Sequence, residues 1–244
     1  MVAQHDHALL SGSLAQHLRR HLFAHDSYRD DVVFAVCEHD RGWIRMDDTP
    51  IWNDRAVGPA LFPDYPLLPK LILYRQGIDE VQQMNRYAAL LCSLHYSSFD
   101  IFRTSTQPEC VEFYRHELAR QAAIRDEYRH IDEDTVMKHL RLLQLCDDMS
   151  LYVCFNRPGA AKADEFPWYV SGFPRSELFN PDEGKPLVAR WLDEKRIAVE
   201  PSPFEHEFAA ALRVKHVAKT LIRQHGIAAA YKNTEWTEQE VVFA

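Results

Sequence analysis

The chain has 244 residues, 46% of them hydrophobic, and a formal net charge of −8. That is ample apolar material for one large buried core, while the acidic balance and the absence of any Lys/Arg run argue against a nucleic-acid partner, which needs a basic face. No apolar run approaches the roughly 20 residues that span a bilayer, and the opening MVAQHDHALL lacks the basic, apolar, small-residue order of a secretory leader, so the expectation is a cytoplasmic protein without a membrane partner.

In chain order, the first predicted helix covers residues 5 to about 23, where Leu10, Leu14, Leu18 and Leu22 recur every fourth position as one apolar stripe. His7 lies three residues before that stripe and leans toward it. A second helix is predicted over residues 28–39, with Asp30 and Asp31 in the first turn, where carboxylates suit the positive end of the helix dipole. It delivers the adjacent pair His39–Asp40 at its C-terminal end. An imidazole nitrogen beside a carboxylate oxygen makes a natural pair of ligands for a divalent metal.

Residues 41–70 carry five prolines and two glycines, so regular structure is not expected there. Such a segment directly after a metal pair is either a lid over a substrate or a surface excursion that covers the helices. Helical periodicity returns over residues 79–99, with Met84, Ala88, Leu91 and His95 near one face. A further helix opens at Thr106, with Pro108 just inside its start, and runs to about Tyr128. The most apolar helix is predicted over residues 134–155, where Val136, Leu140, Leu143 and Asp147 share a face. A carboxylate on a buried face needs a partner, and a metal ion is one.

Past residue 156, repeated Pro and Gly break up any long helix. Alternation at Phe208, Ala210, Leu212 and Val214 predicts strand within residues 197–217, with another at the C-terminus, although the Ala-rich stretch also permits a helix. The five cysteines form no CxxC and read as reduced core residues. His17, His21 and His25, spaced by four, make a rival stripe whose simpler reading is a solvated face.

In chain order His7, His39–Asp40 and Asp147 resemble the H…HD…D signature of the HD-domain superfamily of metal-dependent hydrolases. QHDHALLSG at 4–12, EHDRGW at 38–43 with Asp47 and Pro50, YAALLCSLH at 87–95 and LCDDMSLYVC at 145–154 are similar, more closely, to the uncharacterised bacterial family DUF3891. The resemblance implies a mainly α fold, with an HD-domain-like helical bundle over residues 1–155 holding one or two divalent ions (Fe, Mn, Zn, Co or Ni). Residues 156–244 would form a Pro-rich segment and a small β-sheet-bearing α/β appendage packed on that core. It implies His7, His39, Asp40 and Asp147 as ligands, with Asp147 rather than Asp148 because an apolar residue, Met149, follows two positions later. His95 is placed to bind a second ion or to act on substrate beside Asp40, and His116 fits that place more loosely. Gln4 and Asp6 are candidates for orienting a ligand, and Trp43 for lining a substrate pocket, although polar residues at a helix start and a core aromatic are the plainer readings.

The chemistry expected of such a site is hydrolysis of a small-molecule phosphate ester, since a divalent ion with open positions lowers the pKa of water and polarises a phosphoryl oxygen. QHDHALLSGSLA at 4–15 also resembles the opening helix of the di-iron oxygenases of the HD type, which makes oxidation of a C–H bond the alternative. A third reading is a non-catalytic, metal-stabilised ligand-binding protein. The substrate, the metal and the oligomeric state are not legible from residues alone.

Overall fold

The structure, a computed structural model, describes residues 1–182 and 184–244. It is mainly helical with a small C-terminal sheet. Five long helices, one shorter one and a single turn build the bundle: α1 (Gln4–His17), α2 (Arg29–Glu38), α3 (Leu67–Met84), α4 (Arg86–Ser97), the single turn α5 (Asp100–Arg103), α6 (Pro108–Glu127) and α7 (Glu133–Phe155). Among the described residues no helix is long and apolar enough to cross a membrane.

Local chemistry sets the helix ends. Asp47 accepts the free backbone N–H groups of Gln4 and His5, at 2.7 and 3.4 Å, so a residue far along the chain caps α1. Asn85, in extended conformation, ends α3, and its side chain accepts from Ala88 N to start α4. The single helix expected over residues 79–99 is therefore two, and the first of them begins at Leu67, inside the segment expected to be irregular. Between residues 41 and 66 the chain makes short 3-10 turns and a two-residue antiparallel ladder, β1 (Trp52–Asn53) with β2 (Gly58–Pro59). The first helix is shorter than its Leu stripe suggests: Leu18 turns extended to pair with Phe204, and Leu22 is buried from a 3-10 turn instead.

The helices pack with α1 against α2 and α7, and with α4 against α2, α6 and α7. Gly12 makes the first contact close, since a Cβ there would lie 2.0 Å from Cys37 Sγ on α2. Gly42 and Gly77 do the same for the turn after Asp40: a Cβ on Gly77 would sit 2.4 Å from Gly42 N.

The sheet runs in the order β3 (Val188–Trp191), β4 (Arg196–Glu200), β6 (Thr237–Phe243), β5 (Phe208–Val214). Only β4 and β6 are parallel. On β5, Phe208, Ala210, Leu212 and Val214 are buried and the residues between them exposed, the period-2 pattern of a half-covered strand, and the strand packs on α1. The helix α8 (Lys219–Asn233), not anticipated from sequence, joins β5 to β6. Gly226, at φ +77°, interrupts it.

Candidate metal centre

Four elements bring five side chains into one cluster, two triads that share His39: His7–His39–Asp40 and His39–His95–Asp147. His7 comes from the second turn of α1, His39 and Asp40 from the end of α2, His95 from α4 and Asp147 from α7. His7 Nε2 lies 3.1 Å from Asp147 Oδ1 and 3.6 Å from Asp40 Oδ2. His39 Nε2 lies 3.6 and 3.8 Å from the same two oxygens, and His95 Nε2 is 3.6 Å from Asp147 Oδ2. All are buried except Asp147, whose side chain is 15% exposed.

Hydrogen bonds on the far side of the rings fix their tautomers. His39 Nδ1 donates to Val36 O at 2.7 Å, which turns Nε2 to the cluster, buried without a hydrogen-bond partner. Ser150 Oγ spends its only proton on His7 O, so His7 Nδ1 donates to Ser150 Oγ at 2.8 Å and its Nε2 also faces the cluster as a lone pair. Tyr96 donates to Asp40 Oδ1 at 2.9 Å, which leaves Oδ2 to face the two imidazoles. Asp147 alone turns its two oxygens to different histidines, Oδ1 to His7 and His39 and Oδ2 to His95.

The donor set fits a divalent ion. Ligand bonds of about 2.1 Å place neighbouring donor atoms about 3.0 to 3.4 Å apart in octahedral or tetrahedral geometry, near the separations found here. Nitrogen and carboxylate oxygen suit Zn, Mn, Fe, Co or Ni and not a soft thiolate-seeking ion. Without an ion the group is electrostatically tense. Burial opposes charge on His39, but Asp40 and Asp147 outweigh it and lift its pKa to about 9. Burial raises the pKa of Asp40, whereas His39 and His7 overcome burial and hold Asp147 well below the carboxylate range. Burial drives His95 down to about 3, so its ring is neutral.

His95 and Asp147 open onto a cleft of about 660 Å³ that Phe99, Trp168, Arg141 and Arg175 also line. The proline-rich connection contributes Phe62 to the same wall. Asp148, beside Asp147, lines it too; Tyr169 donates to its Oδ1 at 3.2 Å, and burial with the neighbouring Asp147 charge pushes its pKa up to about 8.

The other residues singled out in the sequence lie elsewhere. Gln4 and Trp43 line a neighbouring cavity of about 240 Å³, where Trp43 packs against Tyr65 and Tyr74. Asp6 faces Arg213 of β5 at 3.5 Å. His116 does not join the cluster: it stands on α6 beside Arg120 and Glu117, because the face of α6 that reaches α4 carries Glu117 and Gln121. His17 of the rival stripe stacks on Phe208 with ring centroids 3.8 Å apart. Tyr96 and Ser150 were not singled out, and Asp148 entered only as the less favoured alternative to Asp147; Ser150 lies within a quoted motif and Tyr96 directly follows one, but nothing in their spacing marks their contacts.

The family described as "Protein of unknown function (DUF3891)" matches residues 1–219. The chain belongs to this family. Its match runs from α1 through the bundle and strands β3, β4 and β5 to the start of α8, so every residue of the cluster falls within the family's span. No curated protein and no solved structure gives a significant match to the chain.

Proposed function

We propose that this DUF3891 protein is a metal-dependent hydrolase with an HD-domain type of helical core, acting on a small-molecule phosphate ester. The observation that carries the reading is the gathering of His7, His39, Asp40 and Asp147, in the H…HD…D order, into one cluster of two triads joined at His39, beside a solvent-open cleft, with the buried Nε2 of His39 lacking a hydrogen-bond partner. A purely structural site has no need of such a cleft.

His7, His39, Asp40 and Asp147 would hold the ion, with His95 available to a second one across Asp147. The ion lowers the pKa of water and polarises a phosphoryl oxygen. Tyr96, Ser150 and the Val36 carbonyl keep the ligands in the required orientation and tautomer. Phe62, Phe99 and Trp168 offer apolar surface to the carbon part of the ester. In the reaction a water oxygen bonds to phosphorus as the ester P–O bond breaks, and the proton leaves with the alcohol.

The test is elemental analysis of protein purified without chelator or metal-affinity tag, combined with a screen of phosphate esters. Wild type should carry one or two equivalents of divalent metal and hydrolyse an ester in proportion to its metal content. Asp40→Ala and Asp147→Ala should lose metal and activity while far-UV circular dichroism stays helical. A fully metallated Asp40→Ala protein sinks the site assignment. The split orientation of the Asp147 oxygens also suits two ions, so two equivalents of iron with an oxo-bridge absorption band would replace hydrolysis by the oxygenase reading.

A further inference from the structure

On α7 the residues Arg141, Gln144, Asp148 and Leu151 follow one another at spacings of three, four and three, a single stripe of the helix, and all four line the cleft. The stripe begins with a guanidinium and ends beside the metal centre. Arg141 is half-buried; its Nη1 donates to Gln144 Oε1 at 2.6 Å, and Gln144 in turn donates to Ser98 Oγ at 3.2 Å. The partner of Arg141 is thus a neutral amide. Across the cleft Arg175 stands at φ +61° on the loop after Pro174, and among the described residues neither arginine has a carboxylate within ion-pair distance.

The rest of the molecule treats arginine differently. Arg120, the buried arginine of the bundle, is matched by Glu117 and Asp79, and Arg103, at the edge of the same cleft, is paired with Asp100 at 2.7 Å. With 36 acidic residues against 28 basic ones, carboxylates are not scarce; among the described residues none comes within ion-pair distance of either arginine. Burial and the Arg175 charge both work against the charge on Arg141. Two forked donors in one cleft, neither of them ion-paired among the described residues although Asp147 and Asp148 line the same cleft, are suited to a bidentate anion.

We propose that Arg141 and Arg175 form a second anion-binding subsite, so that the compound hydrolysed at the metal centre carries another phosphate or carboxylate away from the scissile phosphoryl group. Arg141 lies six residues, about 9 Å along the helix axis, before Asp147, and its guanidinium reaches forward to Gln144, which sets the spacing between the two charged groups at roughly 5–9 Å. The proposal rests on the hydrolase reading for the scissile end, but the arginine pair is testable apart from it.

The experiment is calorimetric titration of metal-loaded protein with methylphosphonate, with alkane-α,ω-bisphosphonates of one to four methylenes, and with ω-carboxyalkylphosphonates of the same lengths, metal retention being checked after each run. At least one diacid should bind tenfold or more tightly than methylphosphonate. Arg141→Gln and Arg175→Gln should each reduce that advantage to below threefold and leave methylphosphonate affinity within about twofold, and Arg141→Lys should keep part of it. Bisphosphonate preference identifies a phosphate at the second position, carboxyalkylphosphonate preference a carboxylate. The proposal is overturned if no diacid exceeds methylphosphonate by more than twofold, or if the advantage survives in both Gln variants. Methylphosphonate binding that is unchanged after chelation would count against the metal reading alone, because the diacid comparison still reports on the arginines.

Discussion

At the scale of single residues, the cluster depends on which ring nitrogen carries the proton. Val36 O and Ser150 Oγ hold Nδ1–H on His39 and His7, so Nε2 is the ring nitrogen turned to the centre, and on His39 its proton must leave before an ion can bind there. The cost of that arrangement shows in the metal-free protein's pH dependence. His39 has its pKa raised to about 9 from the ordinary value near 6.5, so the stability it contributes is complete below about pH 6.5 and is lost as pH rises through 9. Asp148, raised to about 8, keeps in the folded state a proton that the unfolded chain releases near pH 4, so its contribution also falls as pH rises toward 8. Asp147 is held low, and its stabilising contribution is constant over this range. The signs agree: chelated protein should melt at a lower temperature at pH 9 than at pH 6.5 by scanning calorimetry. Metal affinity should move the opposite way, rising over the same interval as protons leave the ligands. A metal-free melting temperature that climbs between pH 6.5 and 9 would refute the charge assignment.

At the scale of elements, α1 and α2 place the first three residues of the cluster, and their approach is set by a glycine. With Gly12 replaced by Ala, the new methyl group would meet Cys37 Sγ at 2.0 Å, and the helices can only separate or rotate. Gly12→Ala should therefore cost about 1–3 kcal/mol in urea unfolding despite alanine's better helix propensity. It should also weaken metal binding, since His7 and His39 sit on the two elements that move. Gly12→Ala with Cys37→Ala should recover most of both losses; failure to recover either would place the effect elsewhere. The helices around this contact were readable because their apolar residues keep a 3.6 period, and the residues of the cluster because the His39–Asp40 adjacency and the buried-face Asp147 stand out from that pattern. The break at Asn85 was missed because the apolar periodicity runs on through it, and only the extended backbone shows that the asparagine is a cap. Helix α8 was missed because Leu221 is partly exposed and Gly226 interrupts the stripe, leaving Ala230 and Tyr231 as its buried residues. Contacts such as Tyr96 to Asp40 and the Arg141–Arg175 pair join residues far apart in sequence, so no local period encodes them.

For the whole molecule, the question is whether the ion is needed to fold it. The buried apolar residues form one cluster that runs from Leu10 on α1 through α2, α4 and α7 into β5 and β6. The sheet is tied to α1 at several points, through His17 on Phe208, Leu18 with Phe204, and the N-terminal ammonium donating to Lys215 O at 2.6 Å. None of these contacts passes through the metal centre. The chelated protein should therefore keep its far-UV circular dichroism at 25 °C and still unfold cooperatively. Ion binding then adds stability by mass action alone: at a free concentration about 1,000 times the dissociation constant, the gain is about 4 kcal/mol. For a chain of this size that corresponds to a rise in melting temperature of roughly 10 °C. If chelation instead unfolds the protein, binding free energy is folding free energy, the centre is a structural staple, and the hydrolase reading gives way to that of a metal-stabilised binding protein. If the fold survives and ester hydrolysis is lost with the ion, the open cleft beside Asp147 is where the chemistry occurs.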